Sequence, residues 1–248
     1  ERNLDGQLTN FLTSRQPLRV GRPPLNTPAV RLIQVTPRHD ELVAGAFSAR
    51  LREHGIEDFL AHGENLSENW MREFYQRMFR YLRSYESVPR EFELVDLVFE
   101  LLVSATCYAQ LKRHRMMTIV PGRYDTTLGY TIPDSIVQVG RKDMFETVME
   151  RTRRTYERIS ELEPRAATYL LTNAHRRRVL VKMNARQVYH FARLREDKHA
   201  QWDIRDIAGR MCAIARTLMP HITLMLCGKH VFPELRDAVY GMDKEGVE

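Results

Sequence analysis

Strand-like and helix-like segments follow one another along this chain in no strict alternation, and that order constrains the fold more than any other feature. Helices and sheets each bury one face, so a chain that mixes them without a βαβ rhythm is expected to pack helices against a sheet as an α+β fold. Ala29 to Thr36 reads as a first strand. Leu42, Val43, Ala46, Phe47 and Leu51 then fall at helical spacing within a helix from Asp40 to His54. Ser67 suits the cap of a further helix, because its hydroxyl can accept from unpaired amides of the first turn, and Met71, Phe74, Tyr75, Met78 and Leu82 follow at helical steps. Glu93 to Val103 is apolar and fits helix or strand, with Val98-Phe99 leaning toward strand. Ser104 can cap a helix that carries Gln110 and Arg113 on one face.

Residues 116–135 hold Pro121, Gly122, Gly129 and Pro133 and read as a long loop, not as one regular element. Met144 to Leu162 is a charged amphipathic helix, Pro164 opens a short helix ending near Leu171, and Arg178 to Met183 alternates like a strand. Helices over Ala185 to Arg195 and His199 to Leu218 follow, the second ended by Pro220. Residues 1–28 are polar and carry four prolines, which predicts an N-terminal arm or tail, while nothing in composition divides 29–248 into two domains.

With 248 residues, 43% of them hydrophobic, the chain can bury a substantial core. No stretch approaches the roughly 18–20 apolar residues of a bilayer span, and no apolar leader is visible, so a soluble, cytoplasmic protein without a membrane partner is expected. Cys107, Cys212 and Cys227 are far apart and lack CxxC or His-rich neighbours, which disfavours a disulfide framework and a metal site. The formal charge is +6, with arginine clusters at 113–115 and 176–178. Arginine's planar fork suits phosphate and carboxylate oxygens, so nucleotides, nucleic acid and acidic lipids all remain open on charge alone.

Two constellations narrow that choice. Gln110-Leu111-Lys112-Arg113-His114-Arg115 gathers donors at a helix end and leads toward the turn Pro121-Gly122-Arg123-Tyr124. Such groups beside a glycine turn can form an anion site, although a solvated basic helix end would look the same. In the second, Asn184 to Arg195, helical geometry puts Arg186, His190 and Arg193 on one face and aligns Arg195 with Phe191 and Val188. An arginine rising from an apolar stripe needs a partner: a ligand, or a carboxylate of Asp203, Asp206 or Glu196. His199 and Gln201 beside Trp202 read as packing and capping groups, and the 176–178 triplet as surface charge. No nucleophile–base spacing, P-loop or GxGxxG run is present, so covalent protein catalysis has no evident nucleophile.

Taken together, the two constellations resemble the flavin-dependent thymidylate synthase family. Its motif R-H-R-x-x-S-x-N-E-x-S-x-R-Y, with a glutamine three residues before it, corresponds to Gln110 and Arg113-His114-Arg115 through Arg123-Tyr124. The segment from Asn184-Ala185-Arg186 through Phe191, Leu194-Arg195 and His199-Ala200-Gln201-Trp202-Asp203-Ile204-Arg205 is the closer match, and the similarity covers roughly residues 29–220. The resemblance implies a mixed sheet packed with helices and makes 29–248 the catalytic domain of a homotetramer with active sites between subunits. It further implies FAD as cofactor, methylenetetrahydrofolate as carbon donor, NADPH as reductant and a uracil nucleotide, UMP or dUMP, as substrate. Carried over by position, Arg113, His114, Arg115, Asn184, Arg186 and His190 would hold FAD. Gln110, Thr118, Gly122 and Arg123 would hold the nucleotide, and Arg195 would act on the uracil edge as the catalytic residue.

The chain also departs from the motif. It is two residues shorter between Arg115 and Arg123, Thr118 replaces the first Ser, Val120 stands where Asn is expected, and the Glu and second Ser have no equivalents. Val88 occupies a usual histidine position, and Thr168 and Thr172 stand where Arg and Pro are typical. The favoured expectation is a C5-methylase of altered nucleotide preference, like the UMP methylases of polyoxin-type nucleoside-antibiotic pathways. The alternative is a catalytically degenerate relative that binds nucleotide or nucleic acid through the same basic cleft; nucleic acid is the disfavoured partner of the two.

Overall fold

The computed structural model describes residues 29–51, 55–62, 66–124 and 126–241. The expected arm at 1–28, the last three residues of the expected first helix and residues 242–248 lie outside them.

Four strands form one sheet in the order β1-β2-β4-β3: β1 (Val30–Val35), β2 (Asp96–Ser104), β3 (Thr118–Tyr124) and β4 (Arg176–Asn184). Every pairing is antiparallel, so the expected mixed sheet is corrected to an antiparallel one. The apolar run Glu93 to Val103 resolves into a 3-10 turn, Arg90–Leu94, followed by β2. Strict alternation on β2 buries Leu97, Phe99 and Leu101 opposite Met183, Val181 and Val179 of β4. These six side chains floor the core, while Glu100, Arg178 and Lys182 occupy the other face with ion pairs Arg178–Glu100 (3.0 Å) and Lys182–Asp96 (2.8 Å).

Ten α-helices accompany the sheet among the described residues, most of them packed over that floor. They are α1 (His39–Leu51), α2 (Ile56–His62), α3 (Glu68–Phe79), α4 (Ala105–Leu111), α5 (Asp134–Gln138), α6 (Lys142–Leu162), α7 (Pro164–Ala167), α8 (Ala185–Arg195), α9 (Trp202–Leu218) and α10 (Phe232–Tyr240). Ser67 caps α3 through the Trp70 amide (3.2 Å), as expected. Gln201 caps α9, accepting from the amides of Asp203 and Ile204, both at 3.1 Å, so that helix starts three residues later than its pattern suggested. The 21-residue α6 buries only Met149 and is laced by Glu150–Arg153, Glu150–Arg154 and Arg153–Glu157 pairs. Among the described residues no helix is long and apolar enough to cross a membrane.

Two strand-to-helix junctions position the basic residues. Ser104 ends β2 and accepts from the Cys107 amide (3.0 Å), launching α4 from one end of the sheet. Asn184 ends β4 and launches α8 from the opposite end, because β2 and β4 run antiparallel with Asp96 facing Asn184 and Ser104 facing Arg176. The C-terminal ends of α4 and α8 therefore approach each other over the sheet.

The segment 116–135 needs the largest correction. It is not one loop, because Thr118–Tyr124 pairs with β4 as an edge strand. Proline has no N–H to give a ladder and glycine weakens a strand, so both read as breakers; an edge position and a bulge remove the objection. The register shifts between Pro121 and Tyr124, leaving Gly122 and Arg123 in the bulge. A Cβ at Gly122 would lie 3.1 Å from the Arg178 carbonyl oxygen, a close approach that only glycine makes without displacement.

Candidate active site

The residue that unites the two sequence constellations is Arg195, at the C-terminal end of α8. Its Nε donates to Nε2 of His114 (2.8 Å), its Nη1 to Oε1 of Gln110 (3.0 Å) and its Nη2 to the Gln110 carbonyl (3.4 Å). The carboxylates that sequence spacing offered are engaged elsewhere: Glu196 with Arg216 (2.7 Å), Asp206 with Arg210 (2.8 Å), and Asp203 with the Ser104 hydroxyl. Arg195 therefore faces neutral acceptors. Burial lowers its affinity for a proton from the usual arginine value, and the nearby Arg113 charge adds to that.

His114 is buried, with its ring 5.0 Å from that of Phe191. Burial first, then the Arg195 charge and the neighbouring His190 ring, push its pKa down to about 4. At neutral pH it is an uncharged imidazole whose Nε2 can accept from Arg195, which requires the proton on Nδ1.

Around this pair lies a cleft of ≈ 450 Å³ lined by Arg113, His114, Arg115, Met116, Met117, Gln187, His190, Leu194 and Arg195. Met116 and Leu194 expose apolar surface while Arg113 and Arg115 are exposed cations. The Gln187 side-chain amide donates to the Met116 carbonyl (2.7 Å) and ties the first turn of α8 to the segment that follows α4. An apolar wall beside a cationic rim fits a planar ring carrying phosphates, the amphipathic chemistry of a flavin nucleotide. The volume suits one end of such a dinucleotide better than the whole.

The remaining expected site residues are distributed unevenly. Gln110 stands behind Arg195. Asn184 and Arg186 lie at the opposite end of α8 from Arg195 and do not line the cleft. The Asn184 oxygen accepts from the Gln187 amide (2.9 Å) while the Gln187 side chain accepts from the Asn184 amide (3.0 Å), a reciprocal capping box. Arg186 donates to the Val88 carbonyl and to Glu93, both at 2.8 Å. Thr118 opens β3 just after the cleft residues, and Gly122 sits four residues on, about 13 Å along a strand at ~3.3 Å per residue. Gly122 and Arg123 are thus separated from the cleft within one protomer.

Sequence reasoning missed three supporting groups. Glu93 and the Val88 carbonyl anchor Arg186 from 93 and 98 residues away, which no local spacing shows. The Asn184-x-x-Gln187 pattern was readable as a capping box. The 176–178 triplet is more than surface charge. Arg176 Nε donates to Thr131 (3.0 Å), and Arg177 lies against the rings of both Tyr108 and Tyr124 while donating to the Gly122 carbonyl.

No thiol competes as a nucleophile. Burial raises the Cys107 and Cys212 thiols far above the ordinary range and Cys227 to about 11, so all three stay protonated near neutrality. Among the described residues no cluster of His, Cys, Asp or Glu could hold a metal.

An antiparallel α+β fold thus places an arginine against a neutral histidine beside an amphipathic cationic cleft, an arrangement whose chemistry suits a small phosphorylated ligand. The chain belongs to the thymidylate synthase complementing protein family, whose pattern it matches over residues 31–221. Similar proteins include a UPF0159 protein of Chlamydia pneumoniae, 25% identical over 74% of this chain and 35% of that protein. A flavin-dependent thymidylate synthase of Clostridium tetani is 27% identical over 78% of this chain and 84% of its own length. One of Pyrococcus furiosus is 29% identical over 73% and 76%. The chain spans only 35%, 28% and 23% of the first three UPF0159 relatives it matches.

Proposed function

We propose that this protein is a flavin-dependent C5-methylase of a uracil nucleotide, UMP or dUMP, using methylenetetrahydrofolate as carbon donor and NADPH as reductant. The observation that carries the reading is the junction of Arg195 with Gln110 and His114 beside a cationic, partly apolar cleft, in a chain whose thiols are all buried and protonated. Arg113, Arg115 and His190 would hold FAD, with Asn184 and Arg186 supporting it from the start of α8. Bound flavin supplies hydride to the pyrimidine, so no protein nucleophile is required. Arg195 donates to a pyrimidine carbonyl and stabilises the charge that develops there, in a half-buried setting where such donors count for more than in water. Gln110, Thr118, Gly122 and Arg123 would hold the nucleotide.

Because Gly122 and Arg123 lie apart from the cleft of their own protomer, the proposal includes a homotetramer in which a second copy brings its bulge to the nucleotide. The shortened segment between Arg115 and Arg123, without Glu or a second Ser, leaves room for a ribose 2′-hydroxyl. This supports UMP as the preferred substrate and a place in modified-nucleoside synthesis.

The test is an absorbance spectrum of the purified protein followed by tritium release from 5-tritiated UMP and dUMP. A yellow protein that turns over UMP is expected. A strong dUMP preference would overturn the substrate assignment. A colourless, inert protein would overturn the enzyme reading and favour a degenerate nucleotide binder; binding to nucleic acid instead would show a steep salt dependence.

A further inference from the structure

We propose that His114 is a positioning residue for Arg195, acting on the nucleotide step through that arginine and not as a direct ligand of the flavin. This rests on the functional reading above for its catalytic consequence, but the contact itself does not.

The geometry is specific. A guanidinium has five N–H groups in a fixed fork. In Arg195 three of them are committed to His114 and Gln110, leaving one on each terminal nitrogen for an incoming ligand. The Nε contact fixes rotation about the end of the side chain, which the two Gln110 contacts alone would leave adjustable. His114 is in turn held by burial and by the edge-on Phe191 ring, so it is a rigid support. Arg195 and His190 both face the imidazole, and burial, with the Arg195 charge beside it, keeps the ring unprotonated so that it can accept. The His114 Nε2 lone pair is thereby already used by the protein. Arg113 and Arg115, by contrast, point exposed side chains at the cleft from either side of it in sequence. The arginine–histidine–arginine triplet therefore divides its labour: the flanking arginines meet anions while the central histidine faces inward to the catalytic arginine.

His114→Gln keeps a neutral acceptor and His114→Leu removes it. With the flavin-loaded protein, both variants should retain the yellow chromophore through gel filtration. His114→Leu should lose about 100-fold in turnover with a smaller change in KM, as expected when a reacting group is misplaced by about 1 Å. His114→Gln should recover at least tenfold of that loss. Loss of flavin from both variants would overturn the proposal and make His114 a flavin ligand, as would equal turnover in Gln and Leu variants that both retain flavin.

A second measurement stands without activity. Urea midpoints of His114→Leu, Arg195→Met and the double variant form a double-mutant cycle, and the two changes should cost less together than the sum of each alone. Additive effects would overturn the contact. A wild-type protein without flavin or turnover but with a non-additive cycle would sink the methylase reading and leave the His114–Arg195 support intact.

Discussion

The guanidinium of Arg177 lies 4.2 Å from the ring centroid of Tyr124 and 4.5 Å from that of Tyr108. Its Nε also donates to the Gly122 carbonyl at 3.1 Å. One side chain of β4 thus pins the bulged end of β3 to the sheet and to α4. Cation–π contacts are worth about 0.5–1 kcal/mol when exposed and ~2 when desolvated. Arg177→Leu should therefore destabilise the fold by about 1–2 kcal/mol in urea unfolding and speed amide exchange at Gly122, Arg123 and Tyr124. Unchanged exchange there would show that the ladder alone holds the strand.

Such clamps explain what was legible in the sequence and what was not. Caps at Ser67 and Ser104 act within three residues of themselves, so their chemistry is written locally. Glu93 to Val103 was ambiguous because its alternation matters only once Phe99 faces Val181 across the sheet. β3 was hidden for a different reason. Pro121 and Gly122 break a central strand but are tolerated at an edge, and edge position is a property of the whole sheet. Both helices bearing the site were readable, as was the need of Arg195 for a partner. The partner itself, His114, lies 81 residues earlier, and nearer carboxylates were plausible until each was seen to be paired.

Asn184 separates a structural from a ligand role. Its capping box satisfies amides at the start of α8, and replacing such a cap by alanine costs about 1 kcal/mol. Asn184→Ala should lower the urea midpoint by that amount, while Asn184→Ser, which keeps a capping oxygen, should recover most of it. If flavin retention falls equally in both variants, the side chain is a cofactor ligand in addition to a cap.

The depressed pKa of His114 has a consequence for stability. The unfolded chain binds a proton at the ordinary histidine value near 6.5 while the folded chain resists it down to about 4. Stability from this group is therefore fully present above pH 6.5 and is lost as pH falls through that window. His175, also depressed by burial, acts in the same direction, whereas Asp40 and Asp203, raised by burial, act in the opposite one. Comparing variants cancels those other groups. Between pH 7 and pH 5 the wild type should lose more stability than His114→Gln, which has nothing to titrate at this position. Equal losses would mean that His114 is freely protonated in the folded protein.

Arg195 itself offers the sharpest division between binding and chemistry. Its fork makes three hydrogen bonds to two residues, and a lysine there would keep the charge but not the geometry. Arg195→Lys should retain flavin and lose on the order of 100-fold or more in nucleotide turnover, the scale seen when one donor to a developing charge is removed. Arg195→Ala should be at least as slow and, by leaving His114 and Gln110 without their shared donor, less stable by about 1–3 kcal/mol. Flavin content by absorbance, turnover by tritium release and urea midpoints check the three claims separately. If Arg195→Lys were as active as the wild type, only the charge would matter, and the role assigned to the fork would fall.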